Sequence, residues 1–168
     1  MFILAAGLRL DSAGDGLTWV ETMNFVSVTR LRIRRWRYMP GFLYLTLLSL
    51  IQARRAEGNL GTSLERDSHL TFWTITVWRD EHSMREFRNH GAHQRAMPKL
   101  REWCDEATYA HWLQESAEPP DPATAFERLV REGIVSRVNH PSSDHAARNF
   151  PPPGISISRG TGDVAREG

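Results

Sequence analysis

Lysine and cysteine are nearly absent from the sequence, whose 168 residues include one lysine, Lys99, and one cysteine, Cys104. A single cysteine excludes an internal disulfide and a cysteine-rich zinc site, and it fits a reducing, cytoplasmic setting. Cys104 follows Trp103 in an apolar pattern, which predicts a buried, inert thiol. Twenty arginines supply most of the positive charge, a bias typical of a GC-rich genome.

Long hydrophobic runs are also absent. The longest apolar stretch, residues 39–51, is interrupted by Pro40 and Gly41 and is well below the ~20 residues that a spanning helix needs. Residues 1–6 are apolar, but no positively charged segment precedes them, which argues against a signal peptide. The net charge of +1 creates no strong field. We therefore predict neither a membrane partner nor a nucleic-acid partner.

The sequence lacks the glycine and histidine motifs of several large enzyme classes. It contains no P-loop, no dinucleotide-binding glycine fingerprint, no nucleophile elbow and no HExxH zinc motif. A reaction class cannot be assigned from such motifs.

Residues 25–34 show the alternation of a β-strand. One face carries Phe25, Thr29 and Ile33, and the other is half arginine, so we expect the first face to meet the helices. Further strands are predicted at residues 60–66, 69–78 and 108–114, and helices at residues 40–57, 80–90, 92–103 and 123–132, with a break at Gly91, a kink or fresh start at Pro98, and a last short strand at 134–138.

This order predicts an α+β fold: a ferredoxin-like split β-α-β unit with an antiparallel sheet and a short C-terminal helix and strand appendix. Helices cover one sheet face, and the other needs a partner, so we expect a homodimer through that open face, a dimeric α+β barrel. We divide the chain into a loose extension (1–22, with Met23 as the natural start), the barrel domain (23–140) and a disordered tail (141–168).

Several segments resemble a known family, uncharacterised bacterial proteins grouped with the antibiotic-biosynthesis-monooxygenase superfamily. The resemblance covers about residues 23–145 and implies the dimeric α+β barrel fold. Among relatives, the chemistry ranges from cofactor-free oxygenation of aromatic polyketides to haem degradation, and a weaker similarity reaches haem-dependent carotenoid oxygenases. The segments that carry the resemblance are FVSVTRLRIR (Phe25–Arg34), FWTITVW (Phe72–Trp78), RDEHSMREF (Arg79–Phe87) and GAHQRAMPKLREWCDEA (Gly91–Ala107).

The catalytic residues of the haem-degrading relatives are not matched. Those proteins use an Asn on the first strand and a Trp and a His on the helix after the third strand. The corresponding positions here are Thr29, Phe87 and Met97. His93 lies one helical turn before Met97 and could serve a related role from a shifted position.

His90 and His93 are three residues apart, which places them on one side of a continuous helix. They could form a metal pair, and His93 alone could be an axial haem ligand or a general base. The alternative is a pair of helix-start histidines that bond to nearby backbone. The sequence leaves the cofactor unknown: none, or the haem that some of the resembling proteins use.

The central region is rich in aromatic residues, among them Trp73, Trp78 and Trp112. They could line a pocket for a flat apolar ligand, or they could be core and interface residues, which we favour. Trp73 and Trp78 point to opposite sheet faces, so at most one lines a given cleft.

Two charged groups are expected to be structural. The arginine stripe that begins at Arg30 favours a solvated face or cross-strand pairs with Glu65 or Asp67 over nucleic-acid binding. The acidic residues Glu102, Asp105 and Glu106 are expected on a solvated helix face. His111 is expected to be a hydrogen-bonded sheet histidine.

Two functions follow from these patterns. The first is a monooxygenase-like protein that binds a hydrophobic aromatic or polyene molecule between the sheet and the long helices. Its candidate acid–base residue or ligand is His93, and its candidate substrate-binding residues are Thr29, Trp73, Phe87, Met97 and Trp112. The second is a non-catalytic dimeric ligand-binding or scaffold module.

Overall fold

The computed structural model describes residues 8–10, 17–19, 22–67 and 70–152. Near the N-terminus, β1 (Leu8–Leu10) and β2 (Leu17–Trp19) pair with each other. The remaining strands are β3 (Asn24–Ile33), β4 (Asn59–Arg66), β5 (Thr71–Trp78), β6 (Cys104–Gln114) and β7 (Ile134–Val135). The α-helices are α1 (Met39–Arg55), α2 (Glu81–Arg88), α3 (Gly91–Trp103), α4 (Pro122–Glu132) and α5 (Ser143–Ala147).

Five strands form one sheet in the order β4-β5-β3-β6-β7, and each neighbouring pair is antiparallel. β3 lies in the middle because both of its edges are paired over nearly its whole length. Strands β3 to β6, with α1, α2 and α3, have the ferredoxin-like arrangement, and α4 and β7 form the appendix. The predicted α+β, ferredoxin-like fold with an antiparallel sheet is confirmed.

Helices α1, α2 and α3 cover one face of the sheet, which we call the helix face. Phe42 of α1 packs on Phe72 of β5, with ring centroids 4.9 Å apart. Met84 of α2 is buried with Phe25 and Trp78. Asp80 caps α2 by accepting a hydrogen bond from the Ser83 backbone N–H at 2.7 Å, as predicted. The assignment of the Phe25 face to the helices is therefore confirmed.

The opposite surface, which we call the second face, is not open. Ala125 and Leu129 of α4 are buried against Val26 and Val28 of β3. Phe126 meets Trp73 edge-on at 6.4 Å. The expectation of an open face that needs a second sheet is wrong, because the amphipathic α4 buries its apolar side there.

The C-terminal region is ordered further than predicted. Helix α5 lies inside the predicted tail, and the Ser142 hydroxyl caps it by accepting from the His145 backbone N–H at 3.0 Å. Residues 153–168 and most of the predicted extension 1–22 lie outside the described residues.

Two local predictions are corrected. Helix α3 continues through Pro98, so no fresh helix starts there, and a kink at this residue stays a prediction. Pro98 is exposed, so the carbonyl that loses its partner can bond to water. Strand β6 begins at Cys104, four residues before the predicted start, because Ile33 of β3 pairs with Cys104 directly after the helix. Within the described residues, no helix has the length and apolar character needed to cross a membrane.

Candidate functional site: the cleft between sheet and helices

A patch of polar side chains occupies the centre of the helix face. Thr29 of β3 lies opposite Thr74 of β5 and Tyr109 of β6. Two residues earlier, Ser27 lies opposite Thr76 and His111. We call these residues the polar floor: Ser27, Thr29, Thr74, Thr76, Tyr109 and His111. All are half-buried except Thr76, which is buried and donates a hydrogen bond to the Ser27 carbonyl at 3.3 Å.

The polar floor separates two packed apolar clusters. At one end, Phe42, Phe72 and Ala107 are buried together. At the other end, Phe25, Trp78 and Met84 are buried together. Between them, half-buried hydroxyls and an imidazole share the helix face of the sheet, where a closed core would place aliphatic side chains. This arrangement defines the candidate site, which we call the sheet–helix cleft.

Aromatic rings line the α2 end of the cleft. The Phe87 ring stacks on Trp78 at 5.1 Å and contacts the His93 ring at 4.7 Å. The pKa of His93 is lowered, mainly by burial, so the imidazole is neutral at pH 7. Its Nδ1 lies 3.2 Å from the Arg88 carbonyl. With the proton on Nδ1, Nε2 is the basic nitrogen.

His111 completes this end of the cleft from the sheet side. Its ring lies 5.1 Å from Phe25 and 5.1 Å from Tyr109. Burial lowers the pKa of His111 most, the positive charges of Arg88 and Arg85 lower it further, and Glu81 opposes them. The imidazole is therefore neutral at pH 7 and can accept a proton or donate a hydrogen bond. Within the described part of the chain, no hydrogen bond restrains the ring, contrary to the expectation of a hydrogen-bonded sheet histidine.

The structure brings together only part of the predicted substrate-binding set. Thr29 belongs to the polar floor, and Phe87 belongs to the aromatic end. Met97 lies on α3 and is exposed. Trp73 and Trp112 lie on the second face, so their assignment to this cleft is wrong.

The physical reason is that successive side chains of a strand point to opposite faces of the sheet, so the pairing register fixes the face of each residue. Trp73 pairs with Arg30 and Trp112 with Val26, and both of these β3 residues point away from Thr29. Trp78 is the tryptophan of β5 on the helix face, which confirms that Trp73 and Trp78 lie on opposite faces. Sequence reasoning undervalued Tyr109 and His111, although their alternation already placed them on one face.

The two candidate metal ligands bond to separate backbone carbonyls. Nδ1 of His90 lies 2.7 Å from the Glu86 carbonyl, whereas His93 uses the Arg88 carbonyl. Among the residues that the structure describes, no group of three or more His, Cys, Asp or Glu side chains is arranged to hold a metal. The metal pair stays a prediction.

The second face carries a buried ion-pair network. Arg30 and Arg32 both bind the Glu106 carboxylate, at 2.5 and 2.6 Å. Arg32 also binds Asp105 through two hydrogen bonds, and the Asp105 hydrogen bond is the main reason that the pKa of Arg32 is raised. The predicted helix face for Asp105 and Glu106 is therefore wrong, and Arg30 and Arg32 pair with these acids instead of with Glu65. Both acids lie on β6, next to β3.

Cys104 is buried, as predicted, and burial raises the pKa of its thiol to about 12. A thiol with this pKa is protonated at neutral pH and has no nucleophilic character. Cys104 packs in the apolar cluster with Phe42 and Phe72 and is not part of the polar floor.

Comparison with known proteins gives a family for more than half of the chain. Residues 35–134 match the family described as "Domain of unknown function (DUF3291)". The chain belongs to the DUF3291 family. The matched residues span α1 to β7 and include Tyr109 and His111. No curated protein matches the chain.

Solved structures share the fold of this DUF3291 protein. A protein of unknown function from Nitrosomonas europaea is 13% identical, with a TM-score of 0.50, and the match covers 61% of this chain and 99% of that chain. A protein from Pseudomonas aeruginosa is 14% identical, with a TM-score of 0.50 and coverages of 56% and 97%. SnoaB, a cofactor-independent oxygenase from Streptomyces nogalater, is 20% identical, with a TM-score of 0.42 and coverages of 54% and 90%. Similar structures also include proteins described as antibiotic biosynthesis monooxygenases, from Nitrosomonas europaea and Chloroflexus aurantiacus, at TM-scores of 0.48 and 0.42.

Proposed function

We propose that this DUF3291 protein is monooxygenase-like and binds a small, flat, mainly apolar molecule with an acidic O–H or C–H group in the sheet–helix cleft. The observation that carries the proposal is the half-buried polar floor between two packed apolar clusters. Aromatic rings at the α2 end suit a flat ligand, and hydroxyls below it suit a ligand that carries oxygen.

The same residues support a reaction with oxygen that needs no cofactor. Neutral His111 can accept the acidic proton, and the hydroxyls of Tyr109 and Thr29 can donate hydrogen bonds to the anion that forms. An electron-rich anion can then reduce O2. For anthrone, one molecule of O2 converts the substrate to anthraquinone and one molecule of water, so atoms and electrons balance.

Anthrone is therefore a suitable first probe. We expect O2 consumption and anthraquinone formation above the rate without protein, with His111→Gln lowering the rate by about 10²-fold or more. His82→Asn is a matched control because His82 is an exposed histidine on α2. An unchanged rate in His111→Gln would contradict the role of His111. Saturable binding of anthrone without turnover would leave a non-catalytic ligand-binding module.

A haem-dependent function is favoured by one observation, the environment of His93. A metal-ligating histidine is typically neutral and donates its second N–H to a backbone carbonyl, and His93 meets both conditions. A titration of hemin into the full chain, followed at the Soret band, should then give a saturable shift that His93→Ala abolishes. A shift that His93→Ala leaves unchanged, or none at all, would remove this alternative.

A further inference from the structure

The outer surface of α1 is apolar, although it faces away from the sheet. Residues 39–53 contain no charged side chain. Phe42 and Ala53 are buried against the sheet, whereas Leu43, Tyr44, Leu47 and Ile51 are 47%, 63%, 56% and 39% exposed. We call these four residues the outer face of α1. A helix at a permanent protein–water boundary normally carries polar residues on that side, and a helix that is apolar all round is normally buried.

We propose that the outer face of α1 is an interface with the same face of a second copy of this chain. Leu43, Leu47 and Ile51 are four residues apart and form one ridge along the helix. Two identical ridges of this kind can interdigitate across a two-fold axis, with Leu47 of each chain near the centre. The surface is thus complementary to itself.

The surroundings of this face have the composition of a protein interface. Its centre is free of charge, while Arg54 and Arg55 lie at one end and Trp36, 67% exposed, lies before the other. Glu57 is also exposed, so both signs of charge are available at the edge. An uncharged centre with arginine and aromatic residues around it is typical of interfaces.

The available area is adequate for association. At these exposed fractions, the four residues and Trp36 contribute on the order of 500 Å² per chain, which gives the ~1,000 Å² in total that a specific interface needs. The second face of the sheet, where the sequence predicted a homodimer, is already occupied by α4. A homodimer therefore has this apolar surface available to it.

Sedimentation velocity of the full chain at micromolar concentration tests the proposal. We expect a species of twice the 19.2 kDa chain mass. Leu47→Glu should weaken dimerisation by about 30-fold or more, because it buries an unpaired carboxylate at the centre of the interface. Val130→Glu is the matched control, since Val130 is an equally exposed apolar residue on α4. Leu43→Gln is a milder change on the same face, used in case Leu47→Glu misfolds. Circular dichroism of each variant checks that it is folded.

Three results would overturn the proposal: a monomeric wild-type chain, a dimer that survives Leu47→Glu, or equal effects of Leu47→Glu and Val130→Glu. A bilayer is the alternative occupant, because arginines beside an apolar helix also suit anionic lipids. A wild-type monomer that sediments with phosphatidylcholine–phosphatidylglycerol vesicles, but not with pure phosphatidylcholine vesicles, and loses this binding in Leu47→Glu, would assign the face to a membrane surface.

Discussion

Among single residues, His111 links the chemistry of the cleft to the stability of the fold. Burial and nearby arginines lower its pKa in the folded state below the ordinary value of 6.5. The unfolded chain therefore binds a proton more readily than the folded chain as the pH falls below 6.5, and folded stability decreases there. At pH values well above 6.5 the imidazole is neutral in both states, and its contribution is fully present.

We expect the melting temperature to fall as the pH is lowered from 7.5 toward 5, and His111→Gln should make this decrease smaller. His93, whose pKa is also lowered, supplies a remaining part of the decrease. Differential scanning calorimetry across this range measures the effect, with His82→Asn as the control. Parallel curves for the wild-type chain and His111→Gln would contradict the burial of a neutral His111.

The sequence predicts the sheet face to which a side chain points only in strands where polar and apolar residues alternate. In β3, arginines alternate with hydroxyl and apolar residues, so the placement of Thr29 on the helix face was predictable. In β5, apolar and aromatic residues point to both faces, because helices cover both of them. The pattern of β5 therefore does not show which tryptophan lines the cleft. Only the pairing of β5 with β3 shows that Trp73 points to the opposite face from Thr29.

Among secondary-structure elements, Gln52 of α1 fixes the corner between α2 and α3. Its Oε1 accepts hydrogen bonds from the backbone N–H groups of Ala92 and His93 at 2.7 and 3.2 Å. Its Nε2 donates to the carbonyls of Phe87 and His90 at 3.1 and 3.0 Å. One side chain thus caps the start of α3 and ties both helices to α1, a contact between distant residues that local sequence patterns do not reveal.

We predict that Gln52→Ala lowers the free energy of unfolding by about 2 kcal/mol, because a helix cap and two further hydrogen bonds are lost. Urea denaturation measures the change. Gln94→Ala, the same substitution at an exposed position of α3, should change stability by less than about 0.5 kcal/mol. Gly91→Ala should also destabilise the corner, since Gly91 has φ of +59° and an added Cβ would lie 2.6 Å from Gln52 Oε1. Similar small effects of Gln52→Ala and Gln94→Ala would show that Gln52 does not fix the corner.

For the whole molecule, helix α4 decides whether one chain can fold alone. The sequence predicted α4 correctly, but its packing partner is set by the length of the linker and by the apolar second face. Leu129 is buried there with Val26 and Val28, whereas the adjacent Val130 points to solvent.

Because α4 covers the sheet, Leu129→Ala leaves a cavity and should lower the free energy of unfolding by about 2–5 kcal/mol. Val130→Ala should change it by less than about 0.5 kcal/mol. Urea denaturation at several protein concentrations measures both changes. An equally small effect of the two substitutions would mean that α4 does not cover the second face, and the sheet would again need a second chain to bury it.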